Sequence, residues 1–337
     1  MTLQAAEAAA AAKGFTRLTV GSVREEADGV VSVLLEDPDG GALPDWEPGA
    51  HIDVLLPNGL LRQYSLCSDP ADNTGWRFAV LREADGRGGS TYIHDSLRPG
   101  DVVEVRGPKH NFQGSTPAQG VALYIAGGIG ITPLLPMIRA TESAGRPWRL
   151  LYLGRSLRSM AFLDELAALD PDGSRLRIHA KDESGALALP AYLADATGAA
   201  VYACGPARLL DELRAAHAAG TVAGLVFEDF GGSPLPGETP DGGARGEAEN
   251  APFVVETADG TEVEVSAAES ILDALHRAGV PALNSCRKGT CGTCETPVLD
   301  GIPEHRDGIL SEEEREANDT MMICVSRCRG ERLVLDL

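Results

Sequence analysis

The chain has 337 residues, with 29 Lys and Arg against 50 Asp and Glu, a formal charge of −21. That balance excludes the basic stripes that nucleic-acid binding requires. The length accommodates two or three domains, the 43% hydrophobic content reads as soluble and globular, and no apolar run approaches a membrane span.

Residues 1–15 are alanine-rich but lack a basic start and a continuous apolar stretch. They read as a frayed tail rather than a secretory leader, and a cytoplasmic protein is expected. From 16 to 117 the pattern is that of strands. Short β-branched runs at 16–20, 30–35, 51–55, 76–81 and 101–105 are separated by turn residues, which predicts a closed antiparallel barrel with one short helix at 90–97.

Two stretches of this segment could carry chemistry. In Arg62-Gln63-Tyr64-Ser65-Leu66 the period of a strand puts Arg62, Tyr64 and Leu66 on one face and Ser65 on the other. Such a strand offers a guanidinium to a phosphate, an aromatic ring to a flat cofactor and a hydroxyl to a ring nitrogen. An ordinary edge strand has the same alternation. Gly86-Arg87-Gly88-Gly89-Ser90-Thr91 opens the short helix. Its glycines free backbone N–H groups to point at an anion, with Ser90 as the expected N-cap, and a plain capped turn reads the same way.

From 118 to 231 the pattern changes to strand–helix alternation. Residues 121–126 form a continuous apolar run, as a buried parallel strand does. Gly127-Gly128-Ile129-Gly130-Ile131-Thr132-Pro133 follows, with Thr132 expected as N-cap, Pro133 at the first helical position and Gly145 just past the end. A glycine turn before a helix, at the carboxyl end of a strand, is where open α/β sheets bind nucleotides. The spacing is not G-x-G-x-x-G, so the motif alone does not specify a dinucleotide. Three further strand–helix steps are expected: 148–153 with 160–169, 176–180 with 191–196, and 199–204 with 206–218. The last carries Cys204-Gly205-Pro206, where a thiol at a strand end reads equally as buried filling. Val226 to Phe230 ends the segment, and Phe230 alone reads as a core residue. Arg155, after the second strand, could hold a ribose 2′-phosphate, and no acid stands in that turn to favour NAD.

Residues 232–251 are rich in Gly, Pro and acids and read as a flexible linker. The third segment, 252–337, has strands at 253–257 and 261–265, a helix at 270–278, an acidic helix start at Ser311 with an N3 acid, and a closing strand at 333–337. The acidic helix reads either as a solvated face or as part of a docking surface. Within this segment lies Cys286-x4-Cys291-x2-Cys294. That spacing is the one used by plant-type [2Fe–2S] centres, and Gly289 and Gly292 permit the loop to curl around the metal. Zinc prefers C-x2-C pairs, and seven cysteines with five beyond position 285 suit a reducing compartment better than a disulfide framework. Cys324 is the expected fourth ligand in preference to Cys328, because it follows an apolar run as an inward strand residue would.

R-x-Y-S-L followed by G-R-G-G-S resembles the flavin domain of the ferredoxin reductase superfamily, and G-G-x-G-x-T-P resembles its nicotinamide domain. With the cysteine loop at the C-terminal end, the order is similar to that of the phthalate dioxygenase reductase and vanillate demethylase reductase family, over about 16–337. The resemblance implies an FMN-binding β-barrel, a parallel α/β nicotinamide-binding domain and a β-grasp [2Fe–2S] ferredoxin domain. It implies that Arg62, Gln63, Tyr64, Ser65, Gly88, Gly89 and Ser90 hold the flavin, with His51, Leu81 and Arg82 along the ring. His51 reads equally as a satisfied barrel residue. Gly127, Gly128, Gly130, Thr132, Cys204, Gly205 and Pro206 then face the nicotinamide nucleotide, and Glu228 and Phe230 close the domain over the flavin. Ser65, Thr132, Cys204 and Phe230 are the residues nearest the reacting atoms on this reading. FAD in place of FMN and NADPH in place of NADH, the latter through Arg155 and Arg158, stay open.

Together these parts describe a converter from paired to single electrons, in which the cofactors carry the chemistry and the protein sets distance and orientation. The expected role is the reductase component of an oxygenase system, acting as a monomer with a Rieske-type oxygenase as partner. The same domain order would serve a haem-thiolate monooxygenase. A third reading is a ferredoxin-like carrier whose upstream domains no longer bind nucleotide. The net negative charge suits docking to a basic partner, and equally plain solubility.

Overall fold

A computed structural model describes residues 14–84, 86–110, 112, 120–196, 198–230 and 250–337. The expected tail and linker fall mostly outside the described residues. The chain divides into two compact units, Met1–Ser233 and Pro234–Leu337.

The first unit begins with β1 (Thr16–Ala27), β2 (Val30–Glu36), β3 (His51–Leu55), β4 (Leu61–Ser65), β5 (Trp76–Leu81), a short helix α1 (Gly89–Asp95) and β6 (Val102–Lys109). They form one six-stranded sheet in the order β4-β3-β6-β1-β2-β5, with every pairing antiparallel. Its two edges meet. Leu66 bridges Phe78, the Tyr64 and Phe78 rings stack at 4.7 Å between centroids, and the sheet closes into the expected barrel. Leu18, Val33, Leu35, Ile52, Val54, Phe78 and Val105 fill it, each the inward residue of its strand's alternation.

The same unit continues with β7 (Ala122–Gly127), α2 (Ile131–Ser143), β8 (Trp148–Gly154), α3 (Leu163–Leu169), β9 (Leu176–Ala180), α4 (Lys181–Ser184), α5 (Leu189–Ala194), β10 (Ala200–Cys204), α6 (Ala207–Ala218) and β11 (Gly224–Glu228). The sheet is wholly parallel in the order β11-β10-β7-β8-β9, so β7 is central and its residues are buried throughout, which explains its unbroken apolar run. The barrel is tied to this sheet by Glu165, which accepts from Arg77 at 2.7 and 2.8 Å and from Arg139 at 2.5 Å. Arg77 also lies over the Phe162 ring at 4.9 Å.

Both predicted caps in this unit need correction. α1 starts from Gly88, whose φ of +80° is left-handed, and Ser90 lies inside the helix, its hydroxyl accepting the Glu83 N–H at 3.1 Å. α2 is capped at Gly130, because a 3-10 turn over Gly128–Gly130 runs straight into it. Thr132 and Pro133 therefore sit within the first turn, and Thr132 Oγ1 donates back to the Ile129 carbonyl at 3.0 Å. The helix stops as expected, with Gly145 at φ +63°.

The second unit contains β12 (Phe253–Thr257), β13 (Glu262–Val265), α7 (Ile271–Arg277), β14 (Glu295–Asp300), β15 (Pro303–Glu304), α8 (Glu312–Ala317), β16 (Thr320–Met322), β17 (Arg327–Cys328) and β18 (Arg332–Leu335). The main sheet runs β13-β12-β18-β14-β16, with only β12 and β18 parallel, and a small β15-β17 pair lies apart from it. α7 buries Ile271, Leu272, Ala274 and Leu275 with Val255, Val265 and Leu333 of that sheet, which is the β-grasp arrangement. Its cap is Ser270, accepting from Asp273 N at 3.1 Å. α8 has the reciprocal capping box read from the sequence: Glu314 N–H donates to Ser311 Oγ, and Ser311 N–H donates to the Glu314 carboxylate. Among the described residues no helix is long and apolar enough to cross a membrane.

Candidate functional site

The first candidate site lies in the first unit, where β3 and β4 of the barrel meet the carboxyl ends of β7, β10 and β11. Gly89 lets Arg62 lie across the start of α1: a Cβ there would stand 2.6 Å from Arg62 Nε. Arg62 Nη2 donates to the Arg87 carbonyl at 2.5 Å, and the first turn of α1 holds no acid. Arg62 Nη1 also donates to the Leu61 carbonyl at 2.7 Å, so the guanidinium is held at the left-handed Gly88 turn, an arrangement that fits a phosphate. Leu81 is exposed beside it, and Arg82 is gripped by Asp95 through both terminal nitrogens, at 2.5 and 2.9 Å.

Ser65, at the end of β4, is buried and its hydroxyl donates to Glu228 Oε2 at 3.4 Å. Glu228 ends β11 and lies directly beside Cys204, the last residue of β10. Burial pushes the Glu228 carboxyl up to about 8, with the Ser65 hydrogen bond acting weakly the other way. Burial likewise raises the Cys204 thiol well above its ordinary value, with Glu228 adding to the shift, so Cys204 is a neutral thiol here. Two turns read separately in the sequence pack as one: a Cβ on Gly127 would stand 2.7 Å from Pro206 Cδ, and one on Gly130 would overlap the Cys204 carbonyl. Thus Ser65, Gly127, Gly130, Cys204, Gly205, Pro206 and Glu228 are brought together. Phe230, two residues on, is 46% exposed, which disposes of the core reading for it. Thr132 is buried with its proton committed to Ile129.

A cavity of about 220 Å³ opens at the carboxyl ends of β8, β9 and β10, lined by Gly154, His179, Lys181, Leu187, Pro206 and Arg208 among others. It lies where a parallel sheet accepts a nucleotide. Sequence reasoning missed His179, Lys181 and Arg208. Their closeness to the carboxyl ends of β9 and β10, with His179 next to last in β9, Lys181 just past it and Arg208 at the start of α6, was the available signal. Of the two arginines considered for a 2′-phosphate, Arg158 is paired with Asp28 at 3.0 Å, while Arg155 is exposed.

A second missed feature is Asp53, fully buried on β3. It accepts from Arg106 at 2.7 Å, Lys109 at 3.0 Å and Gln63 at 2.8 Å. Burial alone would raise its carboxyl; Lys109 and Arg106 outweigh that and hold it below the usual range. Gln63 also reaches His51 Nε2 at 3.3 Å. Burial lowers His51 to about 4, so its ring is neutral.

The second candidate site is in the other unit. Residues 286–294 have no regular structure and curl between α7 and β14. Gly289 and Gly292 have φ of +71° and +70°, and a Cβ on Gly289 would stand 3.0 Å from Asp307 Cα. Asp307 is buried and holds the opposing turn by accepting from Leu310 N at 2.9 Å and Ile309 N at 3.2 Å, while Gly308 N donates to Gly289 O at 3.0 Å. The thiols come as two hydrogen-bonded pairs, Cys286 with Cys291 and Cys294 with Cys324. Cys286 is drawn down to about 5 by Cys291, and Cys324 is lowered by Cys294. Lys288 N donates to Cys286 Sγ at 3.2 Å, and Gly289 N to the Cys324 sulfur.

Cys324 lies in the turn after β16, not in a strand as the sequence suggested. Cys328 faces elsewhere, donating to the Arg332 carbonyl at 3.3 Å and accepting from Gly330 N at 3.2 Å. Among the described residues no three His, Cys, Asp or Glu converge on one ion. Two thiol pairs joined by N–H donors fit a two-iron cluster better than a mononuclear zinc site.

Comparison with known proteins bears on both sites. Residues 41–113 match the oxidoreductase FAD-binding domain model, and residues 255–329 match the 2Fe-2S iron-sulfur cluster binding domain model. Phthalate dioxygenase reductase of Burkholderia cepacia is 39% identical over 329 residues, covering 96% of this chain and 98% of that one. The chain belongs to the phthalate dioxygenase reductase family. It is a flavoprotein oxidoreductase with a 2Fe-2S domain, as its family and both domain models require. A solved structure of phthalate dioxygenase reductase, described as modular for electron transfer from pyridine nucleotides to [2Fe-2S], is similar with a TM-score of 0.68 and 37% identity, over 97% of this chain and 99% of that one. A type IV self-sufficient cytochrome P450 monooxygenase is also similar, with a TM-score of 0.76 and 39% identity over 96% of this chain, which spans 41% of that one.

Proposed function

We propose that this family member is the reductase component of a multicomponent oxygenase, taking electrons from NADH and delivering them singly to a Rieske-type terminal oxygenase. The observation that carries the reading is the pairing of four thiols, Cys286 with Cys291 and Cys294 with Cys324, in one chain with a flavin-type barrel and a parallel nucleotide-binding sheet. Bound flavin takes hydride and gives up electrons one at a time, and a two-iron cluster accepts them singly. The residues do the rest. Arg62, Gly88 and Gly89 would neutralise and seat a flavin phosphate, and FMN is the flavin proposed. Tyr64 and Ser65 bound the ring, with Ser65 held by Glu228 at 3.4 Å. Cys204 and Pro206 bound the nicotinamide side as neutral, apolar packing, and Phe230 is free to cover the ring. Each thiol pair would ligate one iron, with Lys288 N and Gly289 N tuning the cluster through sulfur. The similarity to a self-sufficient P450 supports a second reading, a haem-thiolate monooxygenase as acceptor.

Cys291→Ser provides the first test. The variant should lose the visible absorbance of the cluster yet still show flavin bleaching by NADH; survival of the cluster would remove Cys291 from the ligand set. Flavin released by heat should run as FMN on a column, and the intact protein should support turnover of a purified Rieske oxygenase rather than of a P450. Turnover of only the P450 reverses the choice of partner.

A further inference from the structure

Asp307 is the only buried acid among the described residues of the second unit, and it touches both stretches that carry the paired thiols. On the side of the cysteine loop, a Cβ on Gly289 would stand 3.0 Å from Asp307 Cα and 2.5 Å from Val325 Cγ2. The loop backbone is therefore wedged between Asp307 and the residue that follows Cys324. Gly308 N–H, next in the chain, holds the Gly289 carbonyl at 3.0 Å, and the Gly289 N–H donates to the Cys324 sulfur. On the side of Cys324, the Ser326 hydroxyl accepts the Arg306 N–H at 3.1 Å and donates to Asp307 Oδ1 at 3.4 Å. Oδ2 takes the N–H groups of Leu310 and Ile309. Arg315 Nη2 donates to the Asp307 carbonyl at 2.6 Å and lies 3.8 Å from Oδ2, with its side chain 34% exposed. His305 Nδ1 lies 3.8 Å from Oδ1, and neither nitrogen of this buried ring has a hydrogen-bond partner among the described residues. Hydroxyl, amides and guanidinium all offer protons, as an ionised carboxyl group requires. A buried charge is weakly screened, so a negative one packed behind a cluster sulfur opposes the arrival of an electron there.

We infer that Asp307 is a positioning residue that locks Cys324 onto the Gly289 N–H, and that the charge it buries there, partly offset by Arg315, holds down the potential at which the cluster takes its electron. The inference rests on the proposed ligation by Cys324. It gives one acid that ligates nothing control over both the seating of the fourth thiol and the ease of reduction.

The test is an anaerobic redox titration of the full-length protein, reconstituted with iron and sulfide and followed by visible absorbance and electron paramagnetic resonance. Asp307→Asn keeps an oxygen for the two amides and gives up the charge. Its cluster should form, and the midpoint potential should rise by about 59 mV or more, a tenfold change in the one-electron equilibrium. Arg315→Gln should move the potential the opposite way and by less, because water screens the partly exposed guanidinium. Arg315→Lys, which keeps the charge, should stay near wild type. Opposite signs separate charge from a loosened turn, which would shift both variants in one direction. A potential unmoved by Asp307→Asn, or moved the same way by Asp307→Asn and Arg315→Gln, overturns the inference. Where Asp307→Asn fails to fold, equal potentials for Arg315→Gln and Arg315→Lys overturn it. A Cys324→Ser protein that keeps its cluster unchanged instead removes the ligation on which it rests.

Discussion

Glu228 shows how one residue acquires its chemistry from neighbours remote in the chain. Its carboxyl is raised to about 8 from an ordinary 4.5, because β11 buries it beside Cys204 and against Ser65. The consequence for stability has a definite sign. Between pH 4.5 and 8 the folded chain keeps a proton that the unfolded chain releases. Stability from this group therefore falls as pH rises through that window and levels off above it. Glu228→Gln removes the titration. In flavin-free protein its melting temperature should exceed that of wild type at pH 8, with the difference shrinking toward pH 5; a pH-independent difference would contradict the burial argument. The carboxylate and the aromatic two residues on were legible as a pair. Asp53 was not legible, because an acid between Ile52 and Val54 looks like any outward strand residue until Arg106 and Lys109 arrive from a strand some fifty positions later.

At the scale of elements, glycines decide how closely turns approach. The turn of Gly127, Gly128 and Gly130 and the turn of Cys204, Gly205 and Pro206 are separated by about seventy residues, yet a Cβ on Gly130 would overlap the Cys204 carbonyl. Gly130→Ala should force β10 and the start of α2 apart, costing about 1–3 kcal/mol as overpacking does. It should weaken NADH binding while leaving the cluster spectrum unchanged, which calorimetry and absorbance would read separately. Most helices were legible from apolar period and terminal residues, but the single turn α4 was not, because its four residues carry no apolar period. Cap positions were less so. Thr132 and Ser90 are good capping types, but a 3-10 turn and a left-handed Gly88 start their helices earlier and turn both hydroxyls to backbone partners. At α8, where no such turn intervenes, the Ser311–Glu314 box forms as its sequence spacing implies.

For the whole molecule, the described cores are separate: one set of clusters draws on residues before 231, another only on Phe253 to Leu337. Each unit should therefore fold without the other. A chain cut within 232–251 is expected to yield a yellow piece that NADH bleaches and a red-brown piece that keeps its cluster. The mixed pieces should reduce an external acceptor far more slowly than the intact chain, because the linker no longer holds them at high effective concentration. Equal rates would show that the tether has no kinetic role. What the sequence determined alone was local: the strand and helix periods, the order of the three segments, and the cysteine spacing, each set by interactions within a few residues. Tertiary structure decided where Cys324 and Cys328 face, which arginine is already paired, and which basic residues surround Asp53. Those depend on partners that only folding brings within 3 or 4 Å, and no local pattern encodes that distance.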